Sequence, residues 1–231
     1  MSGPATPVDD VVVRAGQRRS DGSPGPFPSL PIMPDLLPPG HHAERDPIDP
    51  LEPNPCDNPS TREDWDTDAA ARQARQAIEA AAAAAGEPGL TYRERGVWLL
   101  RQANGTIVAS QPWDGAKFQQ GVIPTTTFSF AGINPKDIVG FVHNHDVGMH
   151  APSYDPVSNY GDAQALDAIA AAVTSAGGNG DAVRMYIVAQ TSGANPYNKI
   201  NVYTKANAHS SAQSGSAGPE VNPNATFCPI P

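Results

Sequence analysis

The sequence predicts an α+β or mixed α/β domain, and three observations carry that prediction. An alanine-rich segment with helix start and stop signals comes first. Short apolar runs follow, two of them joined by Asn104-Gly105. A second helical pattern then lies between further strand-like runs.

The elements follow in chain order. Residues 1–60 hold 14 of the 25 prolines, in runs such as Ser23-Pro24-Gly25-Pro26-Phe27-Pro28 and Leu37-Pro38-Pro39-Gly40. Such runs sustain neither a helix nor a central strand. We therefore read 1–60 as a Pro-rich leader or linker, largely disordered, and 61–231 as the folded domain, with its core at about 90–206. Asp66, Thr67 and Asp68 offer N-cap oxygens for a helix from Ala69 to Ala85, which Gly86 ends. Gly96 to Leu100 reads as a strand, Asn104-Gly105 as a hairpin turn, and Thr106 to Ala109 as the returning strand. Thr125 to Phe130 is another strand, and Ile138 to Val142 is a buried one ending at His143. Ser158 to Thr174 places Ala163, Leu166, Ile169, Ala170 and Val173 at helical spacing, closed by Gly177-Gly178. Met185 to Ala189 and Ile200 to Tyr203 are strands with a turn at Asn195-Pro196. The tail from Ala206 is small and polar and reads as irregular.

Composition narrows the function. The formal net charge is −9, which repels phosphate backbones and argues against nucleic acid as a partner. No run of 18 apolar residues predicts a membrane span. The N-terminus has no basic stretch followed by an apolar core, so export would not use an ordinary signal peptide. The two cysteines, Cys56 and Cys228, flank the predicted elements. They are either two separate thiols, the usual state inside cells, or a bridge tying the two ends of the fold in an oxidising destination.

Chemistry concentrates at His143-Asn144-His145. Residues two apart on a strand share a face, so both imidazoles can grip one ion. Zinc suits a set of nitrogens and a carboxylate, and a catalytic zinc keeps one position for water. Asp162, at the start of the next helix, can return to the strand end as third ligand; Asp155 is the alternative. Glu94 precedes the strand Gly96 to Leu100. If that strand neighbours Ile138 to Val142, Glu94 lies over the metal, where a carboxylate can move the proton of an activated water. Singly, each has a plainer reading: an incidental histidine pair, a solvated strand-end charge, a carboxylate favoured by a helix dipole. His150 reads as an exposed loop residue, and His41, His42 and His209 as inert.

The order Glu94-Arg95-Gly96, Asn104-Gly105, Gly140-Phe141-Val142-His143-Asn144-His145 and then Asp162 resembles the JAB1/MPN-like (JAMM) metalloprotease family. Within it, the JAB-like domains of bacterial polymorphic toxins and RHS-protein C-termini are the most similar. The resemblance covers about Leu90 to Ala206 and implies a sheet flanked by helices. It also implies zinc held by His143, His145 and Asp162, Glu94 as general acid/base, and Ser158 helping to hold the tetrahedral intermediate. The spacing departs from the family at one place. With the family's seven intervening residues after His145 the pattern lands on Ser153, but three further on stands Pro156, which cannot bind metal. Ser158 and Asp162 are one residue too far apart. Asp162 is preferred because an apolar-periodic helix follows it; Ser153 or a backbone N–H remains an alternative to Ser158.

The implied activity is a zinc-dependent peptidase or isopeptidase-type hydrolase acting on a protein or peptide. The implied setting is a secreted bacterial effector or toxin, delivered without a classical signal peptide, with a secretion apparatus and an immunity protein as partners. The bacterial cytoplasm is the alternative location. A catalytically inactive JAMM-like binding module and a peptidoglycan cross-link hydrolase are the alternative functions.

Overall fold

A computed structural model describes residues 11–14, 54–118, 125–155, 160–194 and 196–229. In chain order the elements are β1 (Val11–Arg14), a 3-10 turn (Pro55–Asp57), α1 (Pro59–Ala84), β2 (Arg93–Arg101), β3 (Ile107–Ala109) and β4 (Trp113–Lys117). Then come β5 (Thr125–Phe128), β6 (Ile138–Asn144), β7 (Tyr154–Asp155), β8 (Tyr160–Gly161), α2 (Asp162–Ser175), β9 (Arg184–Gln190), β10 (Asn198–Tyr203) and α3 (Ala208–Ser214). The fold is α+β. Its mixed six-stranded sheet runs β10-β9-β6-β2-β3, with β4 also paired to β2. β2 and β6 are antiparallel, whereas β6 and β9 are parallel. A parallel pair needs a crossover, and α2 supplies it.

Side-chain alternation along the strands builds two cores. Val97, Leu99, Val142, Tyr186 and Val188 pack with Ala70, Ala74 and Ile78 of α1. Trp98, Phe141, Met185 and Ile187 pack with Leu166, Ile169 and Val173 of α2. The alanines of α1 bury no bulky side chain, so that helix can lie close to the sheet. His143 stands two residues beyond Phe141 and so faces the α2 side, where its ring stacks on Phe141 at 5.8 Å.

The structure moves several expected boundaries. α1 starts at Pro59, not Ala69, with proline in the first turn, where its missing N–H costs nothing. The three expected cap residues lie inside the helix and do other work. Thr67 Oγ1 donates to the Glu63 carbonyl at 2.7 Å, Asp66 accepts the Cys228 N–H at 2.7 Å, and Asp68 accepts the Tyr186 hydroxyl at 2.9 Å. Burial pushes the Asp68 carboxyl up, against the pull of Tyr186 and Arg184. β4 occupies a stretch for which the sequence predicts no regular element. The tail from Ala206 holds α3, whose Ala208 and Ala212 complete the core on the α2 side. α2 begins at Asp162; Ser158 lies outside the described residues. From the leader, β1 pairs with β5, with Val11 opposite Phe128; the leader reading for residues 1–10 and 15–53 lies outside the described residues.

Cys56 and Cys228 are bonded to each other, 172 residues apart in sequence. The tail reaches that bridge along the free edge of β10. Val202 N–H donates to Pro219 at 2.9 Å and Val221 N–H to Ile200 at 3.0 Å. An otherwise open row of backbone groups is thereby covered. Among the described residues no helix is long and apolar enough to cross a membrane.

Candidate metal centre

The site forms where β6 ends beside β9. His143 pairs with Ile187, and the His145 N–H donates to the Val188 carbonyl at 2.8 Å. Both histidines are therefore set by backbone pairing on a central strand. Asp162, the first residue of α2, meets them from the other side. All three are buried, with 0%, 5% and 1% exposure respectively.

Their donor atoms converge. His143 Nε2 and His145 Nε2 are 3.0 Å apart. Asp162 Oδ1 is 3.4 Å from His143 Nε2, and its Oδ2 is 3.1 Å from His145 Nε2. Ligands about 2.0–2.1 Å from a tetrahedral zinc sit about 3.3 Å from one another, so the spacing fits such an ion. The group is placed to bind a metal.

The surroundings select the right lone pairs. His145 Nδ1 lies 3.0 Å from the Met149 carbonyl. A carbonyl only accepts, so Nδ1 carries the proton and Nε2 presents its lone pair to the cluster. Asp162 Oδ2 accepts the Ser153 N–H at 2.5 Å. Burial opposes a charge on His145, but the charge and hydrogen bond of Asp162, the charge of Glu94 and the Met149 carbonyl outweigh it and raise its pKa. Burial likewise opposes the Asp162 carboxylate; the two histidines overcome it and hold its pKa well below the ordinary value.

Glu94 comes to the same place. Gly96 pairs with His143 across the antiparallel β2–β6 ladder. Two residues back along β2, Glu94 comes close enough to His145 for its charge to raise the histidine's pKa. Glu94 is 3% exposed, a buried acid and not a solvated strand end. Gly96 is required by its neighbour: a Cβ there would meet the Trp113 indole at 1.8 Å. The Glu-x-Gly spacing thus reflects a ring of β4 lying where the next side chain on that face would project.

The structure also brings Ser153 and Asp162 together. Ser153 and Asp162 are nine residues apart, yet the Asp162 N–H donates to the Ser153 carbonyl at 3.3 Å. Between them β7 and β8 pair antiparallel, with Tyr154 opposite Gly161. Gly161 permits this closure, because a Cβ there would meet the Ser153 carbonyl at 2.2 Å. Ser153 is 4% exposed, and its Oγ has no hydrogen-bond partner among the described residues. Asp162 is the carboxylate that joins the two histidines in a group able to hold a metal, while Asp155 lies in β7. Four expected residues therefore come together (Glu94, His143, His145 and Asp162), and the serine beside them is Ser153.

Three further residues were not foreseen. Met149 orients His145. Asn144 holds the start of β2. Tyr203 donates to the His150 carbonyl and accepts the Gly218 N–H at 2.8 Å, tying the loop after His145 to the tail. Burial, with a contribution from Asp162, pushes the Tyr203 phenol up to about 12, against the Gly218 hydrogen bond. His150 is partly buried instead of exposed; burial and Lys199 lower its pKa. His209 pairs with Asp167 at 2.7 Å.

No family model, no curated protein and no solved structure matches the chain. What fold and site define together is an α+β domain with a buried His-His-Asp group placed to bind a metal ion.

Proposed function

We propose that the protein is a JAMM-like, zinc-dependent hydrolase of the peptidase or isopeptidase type. The observation that carries this reading is the convergence of three buried ligand atoms with a fourth buried acid, Glu94, whose charge acts on His145. A purely structural metal site would have no use for a fourth, buried acid at its edge.

His143, His145 and Asp162 would hold the ion. Zinc, when bound, supplies a Lewis acid that brings the pKa of a water to about 7 and polarises a carbonyl. Glu94 is the group that takes the proton from the attacking water and delivers it to the leaving amine. Met149 fixes the His145 ring so that its proton stays on Nδ1. The Ser153 hydroxyl, buried beside Asp162, is the side-chain donor for the developing oxyanion, in the role first given to Ser158.

The wider setting follows from the resemblance. A protein or peptide is the substrate, the chain is a delivered bacterial effector, and an immunity protein is its partner. The Cys56–Cys228 bridge fits an oxidising destination. The inactive binding-module alternative drew its support from the long Ser-to-Asp spacing. With Ser153 and Asp162 in hydrogen-bond contact, that spacing no longer favours it.

The test has two arms. Purified protein should take up one zinc per chain, and His145→Ala should abolish uptake. Glu94→Gln should keep the zinc and lower hydrolysis of a peptide library by about 10²–10⁴-fold. Full activity in Glu94→Gln would remove the proposed base. Cross-linked peptidoglycan as a parallel substrate separates a wall hydrolase from a peptidase.

A further inference from the structure

Asn144 stands between the two metal-ligand histidines and is fully buried. Its side-chain amide makes three hydrogen bonds, none of them to its own strand. Oδ1 accepts the Arg95 N–H at 2.6 Å, while Nδ2 donates to the Leu90 carbonyl at 2.5 Å and the Arg93 carbonyl at 2.9 Å. All three partners belong to the segment that carries Glu94.

The backbone explains why a side chain is needed there. The β2–β6 ladder runs only as far as Gly96 and His143. Beyond it, His145 bonds to Val188 of β9 and the chain leaves for the loop of Asp146 to Pro152. The Arg95 N–H therefore has no β6 carbonyl opposite it. A buried amide hydrogen without a partner costs free energy, and the Asn144 oxygen removes that cost. Only a primary amide offers one acceptor and two donors on a stem this short. Aspartate has no donor, and leucine has neither. The identity of the partners also fixes the orientation of the amide, since two carbonyls must face Nδ2.

We propose that Asn144 is a positioning residue that sets the Glu94 carboxylate against the metal ligands. It links by side-chain hydrogen bonds the strand that supplies the histidines and the strand that supplies the base. This role rests on the metal-hydrolase reading above. It predicts that loss of Asn144 uncouples Glu94 from the metal while the ligands stay in place. His143 and His145 are held by β9 and Met149, not by Asn144.

The experiment uses the full chain loaded with cobalt(II), whose visible spectrum reports the ligand environment. Wild type, Glu94→Gln, Asn144→Ala and the double variant are compared, with Asn144→Asp as the isosteric substitute if Asn144→Ala does not fold. All should bind one cobalt with affinities within about threefold, because the three ligands are unchanged. Glu94→Gln should change the spectrum in the wild-type background and change it much less beside Asn144→Ala. Amide exchange over residues 90–95 should rise at least tenfold in the Asn144 variant, with β6 and β9 unchanged. Peptide hydrolysis should fall about hundredfold in kcat with little change in KM, the scale expected for a catalytic group displaced by about 1 Å.

An Asn144 residue that served only the core would lower stability but leave the Glu94 effect equal in both backgrounds, and that result overturns the proposal. Unchanged exchange over 90–95 overturns it as well. If wild type takes up no cobalt, the metal reading itself fails and the positioning role falls with it. That outcome is distinct from normal uptake with an intact Glu94 response.

Discussion

The Cys56–Cys228 bridge lends itself to a quantitative prediction. It closes a loop of 172 residues. In the chain-entropy treatment, a loop of that length restricts the unfolded chain by about 5 kcal/mol at 25 °C. For a domain of this size each kcal/mol moves the melting temperature by about 2–4 °C, so opening the bridge should lower Tm by about 10–20 °C. The folded state loses little. Near Cys228 the tail is held by the Asp66 contact to its N–H, the Arg62 contact to Pro229 and the Arg72 contact to Ala225. These keep the tail in place in the folded protein and do nothing in the unfolded one, so the effect should appear mainly as a more expanded denatured state. The assay is thermal and urea denaturation of the wild type and of Cys56→Ser/Cys228→Ser, each with and without a phosphine reductant. The double variant should match the reduced wild type, ignore reductant, and show a larger denaturant m-value. A Tm difference below about 2 °C between oxidised wild type and double variant would refute the reasoning.

Three further predictions concern the site. Ser153→Ala should retain zinc and lower kcat by about 10²-fold, the scale seen when one oxyanion donor is removed, whereas Ser158→Ala should have little effect; the reverse ranking would restore Ser158 to the role. Metal uptake should weaken on acidification, beginning above the pH at which an ordinary histidine protonates, because the raised His145 pKa lets a proton compete for Nε2. For the metal-free protein the signs are as follows. His145, raised in the fold, stabilises fully below about pH 6.5 and loses that contribution as pH rises through its folded pKa. Asp162, depressed in the fold, stabilises above about pH 3.9 and loses that contribution as pH falls through its folded pKa. The pair thus contributes most between about pH 4 and 6.5, measurable by urea denaturation of chelator-treated protein across that range. Metal-free stability that climbs steadily from pH 5 to pH 8 would contradict this.

Legibility followed the range of the signal. The histidine pair could be read because two residues on one strand obey a fixed period, and the apolar run Ile138 to Val142 announced that strand. Glu94 could be placed once that strand was assumed to neighbour the one beginning near Gly96, which the β2–β6 pairing bears out. Helix α2 was visible from its apolar spacing, and Asp162 was legible as its opening carboxylate, although the pattern reads from Ser158. The start of α1 was missed because Asp66, Thr67 and Asp68 look like caps in isolation. Their oxygens are in fact engaged by Cys228, by Glu63 one turn back, and by Tyr186. Strand β4 carried no apolar alternation, since its partner is the half-open edge of β2.

The sequence by itself determined the fold class, the strand that presents His143 and His145, and the helix-starting carboxylate, because each depends on periodicity and local termination within a short window. Only the tertiary structure decided which serine stands beside Asp162, since that depends on the β7–β8 pairing that returns Gly161 and Asp162 to Ser153. It alone joined Cys56 to Cys228 and gave Asn144 its partners in Leu90, Arg93 and Arg95. Contacts between residues far apart in the chain are fixed by how the layers pack, and no local pattern carries that information.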